Sequence, residues 1–307
     1  MASRFRSERG RRNLPHCLRA DPCIDGIGRM SASMLLREAR VPSAASCDDI
    51  DIWLTYYNEI DDDRQLAGMR SLLSDDEVDR EGRFYFADDR KRYLVTRAMV
   101  RMVLSRYARV APERWAFSKN AYGRPAIADE IVEVEAEARG LSFNISHTRG
   151  LIAIAVTRGR ELGIDVENIS ARAVSLDVAE HFFSRTEVAE LSCVAPDRRH
   201  DRFFEYWTLK ESYIKARGMG LSLPLDGFTF QFPQPGTVSI RIRPDLQDHA
   251  DRWRFWQYRP TPDYLMAICA EQSADGAPAI SMRKFTPLGD EMPMIAPFMR
   301  RSEALCT

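Results

Sequence analysis

The sequence predicts an α+β fold of two halves with a functional site between them. A strand, helices and further strands occupy the chain up to about Thr157, and a strand, helices and strands follow again. Stretches with apolar residues at every second position alternate with stretches where they recur at every third or fourth. The 307 residues suffice for one large domain or two medium ones.

The composition excludes several classes of protein. At 45% hydrophobic and 29% charged residues, with a net charge of −1, the chain is typical of soluble globular proteins and carries no field that favours nucleic acid. The longest uncharged apolar stretch, Leu151 to Thr157, is too short to span a bilayer. Six scattered cysteines and no secretory signal indicate free thiols, and we expect a cytoplasmic protein that binds neither membrane nor nucleic acid.

Changes in composition suggest the boundaries of the folded part. Residues 1–20 carry six arginines and one glutamate without apolar periodicity, so residues 1–47 are predicted to form a disordered basic leader. We expect an N-terminal lobe over residues 48–158 and a C-terminal lobe over 159–288. A Met- and Pro-rich tail with loop character is predicted for 289–307.

In the first half, "IDIWLTYY" from Ile50 alternates with a period of two and predicts a strand. Leu66, Met69, Leu72 and Leu73 suggest a short helix, and Ser74 opens a capping box for the next one. Residues 88–109 form the clearest helical pattern, and "NAYGRPAI" follows as a turn.

The second half begins within a segment of strong strand character. Residues 141–169 hold two apolar strands around a turn at Arg158–Arg160, and residues 177–183 suggest a helix. Ser184 begins another capping box ahead of a long helix through "FFEYWTLKESYIKARG". "FTFQF" and "VSIRIR" then predict strands.

Two carboxylates stand out in "GIDVE". On a strand, Asp165 and Glu167 point to one side while Ile164 and Val166 point to the other. Carboxylates about 7 Å apart can share a hard cation if a third oxygen ligand arrives from elsewhere. The alternative is a half-exposed strand with a solvated acidic face.

The long helix places Glu211 and Lys215 beside an apolar stripe of Phe203, Phe204, Trp207 and Ile214. Glu four residues before Lys is the favourable order for a simple surface pair, worth about 0.3–0.5 kcal/mol. Alternatively, Glu211 completes a site of three carboxylates for magnesium, and Lys215 faces the phosphates that such a metal binds.

"NISH" offers Ser146 and His147, but neighbours on an extended segment point apart, so a nucleophile–base pair is disfavoured. They are either a turn serine and a partly buried histidine or donors to a phosphate. Arg92 and Arg124 would be further anion ligands, because guanidinium groups suit phosphate oxygens.

The set of motifs resembles the 4′-phosphopantetheinyl transferases of the surfactin-synthetase-activating type. "GIDVE" followed by "WTLKESYIK" resembles the signature pair of that family, and "RFYF", "YGRP", "FNISH", "HFFSRTE" and "GLSLPLDGF" stand in the family's order from about Ile50 to Leu288. The family often has Lys where Arg124 stands. It also usually has two basic residues at the positions of Glu77 and Arg80, so only Arg80 keeps that charge.

The resemblance implies a monomer of two similar α/β lobes related by a pseudo-twofold axis, with the active site at their interface. Asp165, Glu167 and Glu211 would hold Mg²⁺. Lys215 would contact the phosphates of coenzyme A, and the remaining coenzyme A contacts would come from Arg80, Arg92, Arg124, Ser146 and His147, with Asp165 at the pyrophosphate.

The implied reaction transfers the phosphopantetheine arm of coenzyme A to a serine of an apo acyl or peptidyl carrier protein. Glu211 would accept the serine proton, and Glu167 or solvent is the alternative base. Two other functions remain open: another Mg²⁺-dependent nucleotide phosphotransferase or pyrophosphohydrolase, for which no Gly-rich phosphate loop is present, and a silent module that binds coenzyme A or carrier proteins.

Overall fold

The computed structural model describes residues 49–171, 176–273 and 276–303. The α-helices are α1 (Asp63–Arg70), α2 (Asp75–Gly82), α3 (Ala87–Leu104), α4 (Asp129–Val134), α5 (Leu176–Phe182), α6 (Arg185–Cys193) and α7 (Pro196–Arg217). The strands are β1 (Ile50–Thr55), β2 (Phe117–Lys119), β3 (Pro125–Ile127), β4 (Leu141–Thr148), β5 (Leu151–Arg158), β6 (Leu162–Asn168), β7 (Phe228–Gln231), β8 (Thr237–Ile242), β9 (Trp253–Thr261), β10 (Tyr264–Glu271), β11 (Ile280–Phe285), β12 (Glu291–Pro293) and β13 (Phe298–Ser302).

The first sheet has the strand order β12-β11-β1-β5-β4. Strand β1 pairs with β5 in antiparallel and with β11 in parallel orientation, so strands far apart in the chain flank it. All six residues of β1 are buried because both faces of the strand are covered. Strand β4 is the outer strand on one side of this sheet.

The second sheet has the order β6-β10-β9-β13-β8-β7. Strand β6, which carries Asp165 and Glu167, is its outer strand and pairs with β10. Strand β13 lies between β9 and β8, antiparallel to the first and parallel to the second. The short hairpin of β2 and β3 stands apart from both sheets.

Three apolar clusters place the layers of the fold. One joins α3 to the face of the first sheet that carries Trp53, and another joins α7 to the face of the second sheet that carries Phe255. The third lies between the sheets and includes Ile52 from the first sheet and Ile164 and Ile268 from the second. The order of layers is therefore α3, first sheet, second sheet, α7.

Several predicted elements are confirmed. Both capping boxes exist, with Glu77 and Glu187 as the partners of Ser74 and Ser184. The helix predicted over 88–109 is α3, which ends at Leu104. The segment 141–169 forms three strands instead of two, because β4 and β5 already make a hairpin at Arg149–Gly150 ahead of the predicted turn.

The C-terminal region differs from its predicted loop character, since β12 and β13 lie within residues 289–303. Strand β11, placed in the predicted C-terminal lobe, pairs with β1 of the first sheet. The lobe boundaries at 158 and 288 stay a prediction, and the leader 1–47 lies outside the described residues. Among the described helices, none combines the length and apolar character needed to cross a membrane.

Candidate active site

The close contact between β6 and α7 sets the geometry of the site. A Cβ atom on Gly163 would lie 2.0 Å from the backbone oxygen of Ser212 and 2.4 Å from the backbone nitrogen of Ala216. Only glycine permits α7 to approach the strand so closely. The apolar stripe predicted on this helix is confirmed, because Phe204 and Ile214 are buried in the cluster under α7.

The alternation predicted for "GIDVE" is confirmed as well. Ile164 and Val166 lie in the cluster between the sheets. Asp165 faces α7, where its Oδ1 accepts a hydrogen bond from Lys215 Nζ at 2.7 Å. The strand is an edge strand, but its acidic face is covered by a helix, so the reading of a solvated acidic face is wrong for Asp165, which is 4% exposed.

Lys215 pairs with Asp165 and not with its helical neighbour. Its ammonium group donates to Asp165 Oδ1 and also to Ser146 Oγ at 2.8 Å. Among the described residues, Glu211 makes no ion pair or hydrogen bond, so the alternative of a simple surface pair between Glu211 and Lys215 is wrong. The reason is the proximity of β6, which offers Lys215 a more buried carboxylate than its own helix does.

Glu211 has an unusual protonation equilibrium. Partial burial, together with the nearby negative charges of Asp165 and Glu167, raises the pKa of Glu211 to about 7, and Lys215 only partly offsets this. Three carboxylates thus influence one another across β6 and α7. Asp165 Oδ2 is also buried without a hydrogen-bond partner.

These observations test whether the three carboxylates suit a metal ion. Among the described residues, no three His, Cys, Asp or Glu side chains are already arranged as a metal site. The donor chemistry nevertheless fits a hard cation, because the oxygen Asp165 Oδ2 lacks a partner and Glu211 is held close to other negative charge. The three side chains therefore offer the oxygen ligands that such an ion prefers. In this structure the ammonium group of Lys215 supplies the positive charge next to Asp165.

Glu167 is held by two residues that the sequence did not single out as its partners. Trp207 Nε1 donates to Glu167 Oε1 at 3.1 Å, and Thr148 Oγ1 donates to Glu167 Oε2 at 3.4 Å. The sequence indicated only a packing role for Trp207. The sole signal for Thr148 was its position two residues after Ser146 on the same strand.

Ser146 lies inside the site with its hydrogen-bonding capacity filled. Its hydroxyl donates to Asp165 Oδ1 at 3.0 Å and accepts from Lys215 Nζ and from the backbone nitrogen of Val166. One donor and two acceptor positions are all that a serine hydroxyl offers. The side chain therefore connects β4, β6 and α7 at one point.

His147 lies near the positive charges of Arg92 and Lys215. Crowding by protein atoms lowers the pKa of His147, and the charges of Arg92 and Lys215 lower it further. His147 as a whole residue is nevertheless exposed. Arg92 pairs with Asp89 on its own helix at 2.5 Å. The structure thus brings together seven of the predicted residues: Arg92, Ser146, His147, Asp165, Glu167, Glu211 and Lys215.

Arg124 and Arg80 have other surroundings. The Arg124 guanidinium bonds Glu161 Oε2 at 2.5 Å and the backbone oxygens of Ala216 and Leu162, so it ties the end of α7 to the start of β6. Arg80 is exposed on α2, where its guanidinium lies 5.9 Å from the centre of the Tyr93 ring.

The structure also explains why Glu77 stands where the family usually has a basic residue. This carboxylate accepts from Arg101 Nη2 at 2.7 Å and pairs with Arg97 as well. Burial alone would raise the pKa of Glu77, but the two guanidinium groups outweigh burial and lower it. Glu77 therefore fixes α2 against α3, where a basic residue could not take its place.

Comparison with known proteins gives a consistent result. Residues 61–158 match the family described as 4′-phosphopantetheinyl transferase, N-terminal, and residues 161–269 match the 4′-phosphopantetheinyl transferase superfamily. The 4′-phosphopantetheinyl transferase Sfp of Bacillus subtilis is 36% identical over 200 residues, covering 65% of this chain and 83% of the relative. HetI of Nostoc sp. is 33% identical over 175 residues, covering 57% and 71%.

The site thus places the carboxylates of β6 opposite Glu211 and Lys215 of α7. The two family matches cover both halves of the chain that forms this site. The chain belongs to the 4′-phosphopantetheinyl transferase superfamily. A solved holo-[acyl-carrier-protein] synthase of Thermotoga maritima shows a partial likeness, with a TM-score of 0.31 and 18% identity over 38% of this chain and 65% of that one.

Proposed function

We propose that this protein transfers the 4′-phosphopantetheine arm of coenzyme A to a serine hydroxyl of an apo acyl or peptidyl carrier protein. The serine oxygen forms a bond to the phosphorus that carries the arm, the pyrophosphate P–O bond breaks, and adenosine 3′,5′-bisphosphate leaves. The observation that carries the proposal is the meeting of Asp165, Glu211 and Lys215 between β6 and α7 in a chain of this family.

Asp165, Glu167 and Glu211 would hold Mg²⁺, for which carboxylate oxygens are suitable ligands. The support is the unpartnered buried oxygen of Asp165, and the burial and neighbouring carboxylate charges that raise the pKa of Glu211. When bound, the ion would neutralise charge on the pyrophosphate and improve the leaving group.

The positive side chains provide the binding site for the phosphates. Lys215 lies on α7 with its side chain partly exposed, and meets the negative charge that develops as the P–O bond breaks. Arg92 and His147 would bind the 3′-phosphoadenosine end, and Arg80 would contribute charge from α2. Arg124 and Ser146 would contact coenzyme A only after exchanging the partners described above.

Glu211 is the proposed base for the serine hydroxyl. A general base works best when its pKa lies near the working pH, and burial together with the charges of Asp165 and Glu167 raises the pKa of Glu211 to about 7 in the metal-free protein. Bound Mg²⁺ would lower this pKa, so Glu211 would take the serine proton directly or through a water on the ion. Glu167 is the alternative base, but its two oxygens already accept hydrogen bonds from Trp207 and Thr148.

The experiment incubates the protein with coenzyme A, MgCl₂ and a panel of apo-carrier proteins from peptide-synthetase, polyketide and fatty-acid systems. Mass spectrometry should show the addition of one phosphopantetheine arm, with no addition to a carrier whose acceptor serine is replaced by alanine. No mass gain with any carrier type would exclude the transferase function.

Two variants test the residue assignments. Asp165→Ala should abolish transfer. Glu211→Gln should also lose transfer, because the substitution removes the charge and the basicity of the side chain while its shape stays nearly the same. Glu130→Gln, an exposed position on α4, is the matched control and should transfer at the wild-type rate. Glu211→Gln activity above about a tenth of the wild-type rate, a barrier change under about 1.4 kcal/mol, would exclude Glu211 as the essential base.

A further inference from the structure

The outer strands of the two sheets are joined by side chains. Strand β4 ends the first sheet and β6 ends the second, and each outer strand has backbone groups that no neighbouring strand of its own sheet can pair. Buried N–H groups need acceptors, because an unpaired donor costs about 1–3 kcal/mol. The acceptors for β6 come from β4.

Three side chains at alternate positions of β4 accept these hydrogen bonds. Asn144 Oδ1 accepts from the Ile164 nitrogen, Ser146 Oγ from the Val166 nitrogen and Thr148 Oγ1 from the Asn168 nitrogen, each at 3.1 Å. Both strands advance by two residues at each step, so the three bonds stay in register. We name these three side chains of β4 the seam.

The seam fixes how far β6 can slide along β4. If β6 slipped by one residue, each acceptor on β4 would lie opposite a residue of β6 whose N–H group points away from it. The slip would also turn the opposite face of β6 toward α7. In the observed register, Asp165 and Glu167 face α7. The seam and the ladder between β6 and β10 together keep these side chains of β6 opposite Lys215 and Glu211.

Two members of the seam also touch the carboxylates. Ser146 donates to Asp165, and Thr148 donates to Glu167 at 3.4 Å. Asn144 is buried, with 4% of its surface exposed, and its described bond holds only the backbone of β6. Asn144 therefore acts on the register alone, and Thr148 on both the register and Glu167.

We propose that Asn144 and Thr148 are positioning residues for the transfer reaction, an inference that rests on the proposed function. They hold the backbone of β6 so that Asp165 and Glu167 stand opposite Lys215 and Glu211. Neither residue contacts the phosphates in this role. Their loss therefore lowers the rate of transfer from the bound state and leaves the binding of coenzyme A nearly unchanged.

The test uses Thr148→Val, which keeps the shape of the side chain and removes the acceptor, and Asn144→Leu. Each should lower kcat by about tenfold while KM for coenzyme A stays within about twofold. Thr148→Ser retains the hydroxyl and should restore kcat. The matched control is Thr55→Val, which removes a buried hydroxyl bonded to the Phe285 oxygen in the first sheet, away from β6.

Amide hydrogen exchange provides a second readout that does not require activity. Exchange at the Asn168 nitrogen should accelerate in Thr148→Val, and at the Ile164 nitrogen in Asn144→Leu, while Thr55→Val leaves both at the wild-type rate. Equal kcat in wild type and both seam variants, or an equal loss in Thr55→Val, would overturn the positioning role.

The two proposals can fail separately. A wild-type protein that modifies no carrier overturns the proposed function and with it the role in transfer, whereas the exchange data still decide whether the seam holds β6. An active wild type with unchanged exchange rates in both seam variants overturns the seam itself.

Discussion

The buried ion pair of Lys210 and Glu187 lies next to the site, and its contacts allow the loss of stability on removing Lys210 to be estimated. Lys210, on α7 beside Glu211, is fully buried, and its ammonium group donates to Glu187 Oε2 and to the backbone oxygens of Leu225 and Phe228, each at 2.8 Å. All three of its donors are thus used. Burial lowers the pKa of Lys210, and the charge of Glu187 opposes that effect.

Replacing Lys210 by Met keeps the length of the side chain and removes its charge. Two buried carbonyl oxygens then lose their donor, and Glu187 keeps only the backbone nitrogens of Ser184 and Phe230. Breaking one side of a buried pair costs about 3–5 kcal/mol. For a protein of this size, that loss corresponds to a fall in Tm of about 6–20 °C.

The assay is urea unfolding followed by tryptophan fluorescence. Lys284→Met is the control, because Lys284 pairs with Glu59 where the two side chains are 33% and 55% exposed, and should cost under about 1 kcal/mol. Lys210→Met combined with Glu187→Gln should regain part of the loss, since no uncompensated charge remains. A cost of Lys210→Met as small as that of Lys284→Met would refute the reasoning.

Three further predictions concern the site and the second sheet. The raised pKa of Glu211 means that the folded protein binds the extra proton between about pH 4.5 and 7, so this stabilisation is present below that range and lost as the pH rises through 7. In chelator-treated samples, Tm of wild type should therefore fall relative to Glu211→Gln over that range, and parallel curves would contradict the shift. Gly163→Ala should lower turnover by about 100-fold, because its Cβ would displace α7 from β6, and near-normal turnover would contradict the close contact. Ending the chain before Phe298 should expose the edges of β8 and β9 and cause aggregation, measured by light scattering, whereas a monodisperse, cooperatively folding product would show that β13 is dispensable.

The sequence predicted correctly the features that depend only on neighbouring residues, such as side-chain alternation along a strand and the starts of helices. The period of two placed Asp165 and Glu167 on one side of a strand, and the capping residues Ser74 and Ser184 marked the starts of two helices. These features depend on backbone geometry over a few residues. Together with the apolar stripe of α7, they sufficed to predict two of the elements that form the site.

The contacts between distant segments could not be predicted in this way. Lys215 follows Glu211 at the favourable helical spacing, yet it binds Asp165, because Gly163 lets a strand approach the helix. The distance between β6 and α7 at Gly163 cannot be read from the sequence. Arg124 was expected to bind an anion from its charge alone, while its bonds to backbone oxygens depend on where α7 ends.

The placement of β13 has a consequence for how the protein is synthesised. Hairpins β7–β8 and β9–β10 can each form as soon as they leave the ribosome, because their partners are neighbours in the chain. They cannot join each other until β13 is inserted between them, and β13 comes after both and after β11 and β12. A nascent chain therefore exposes two open edges in the half that carries Asp165, and a pause in translation before Phe298 would prolong the period in which chaperones must protect them.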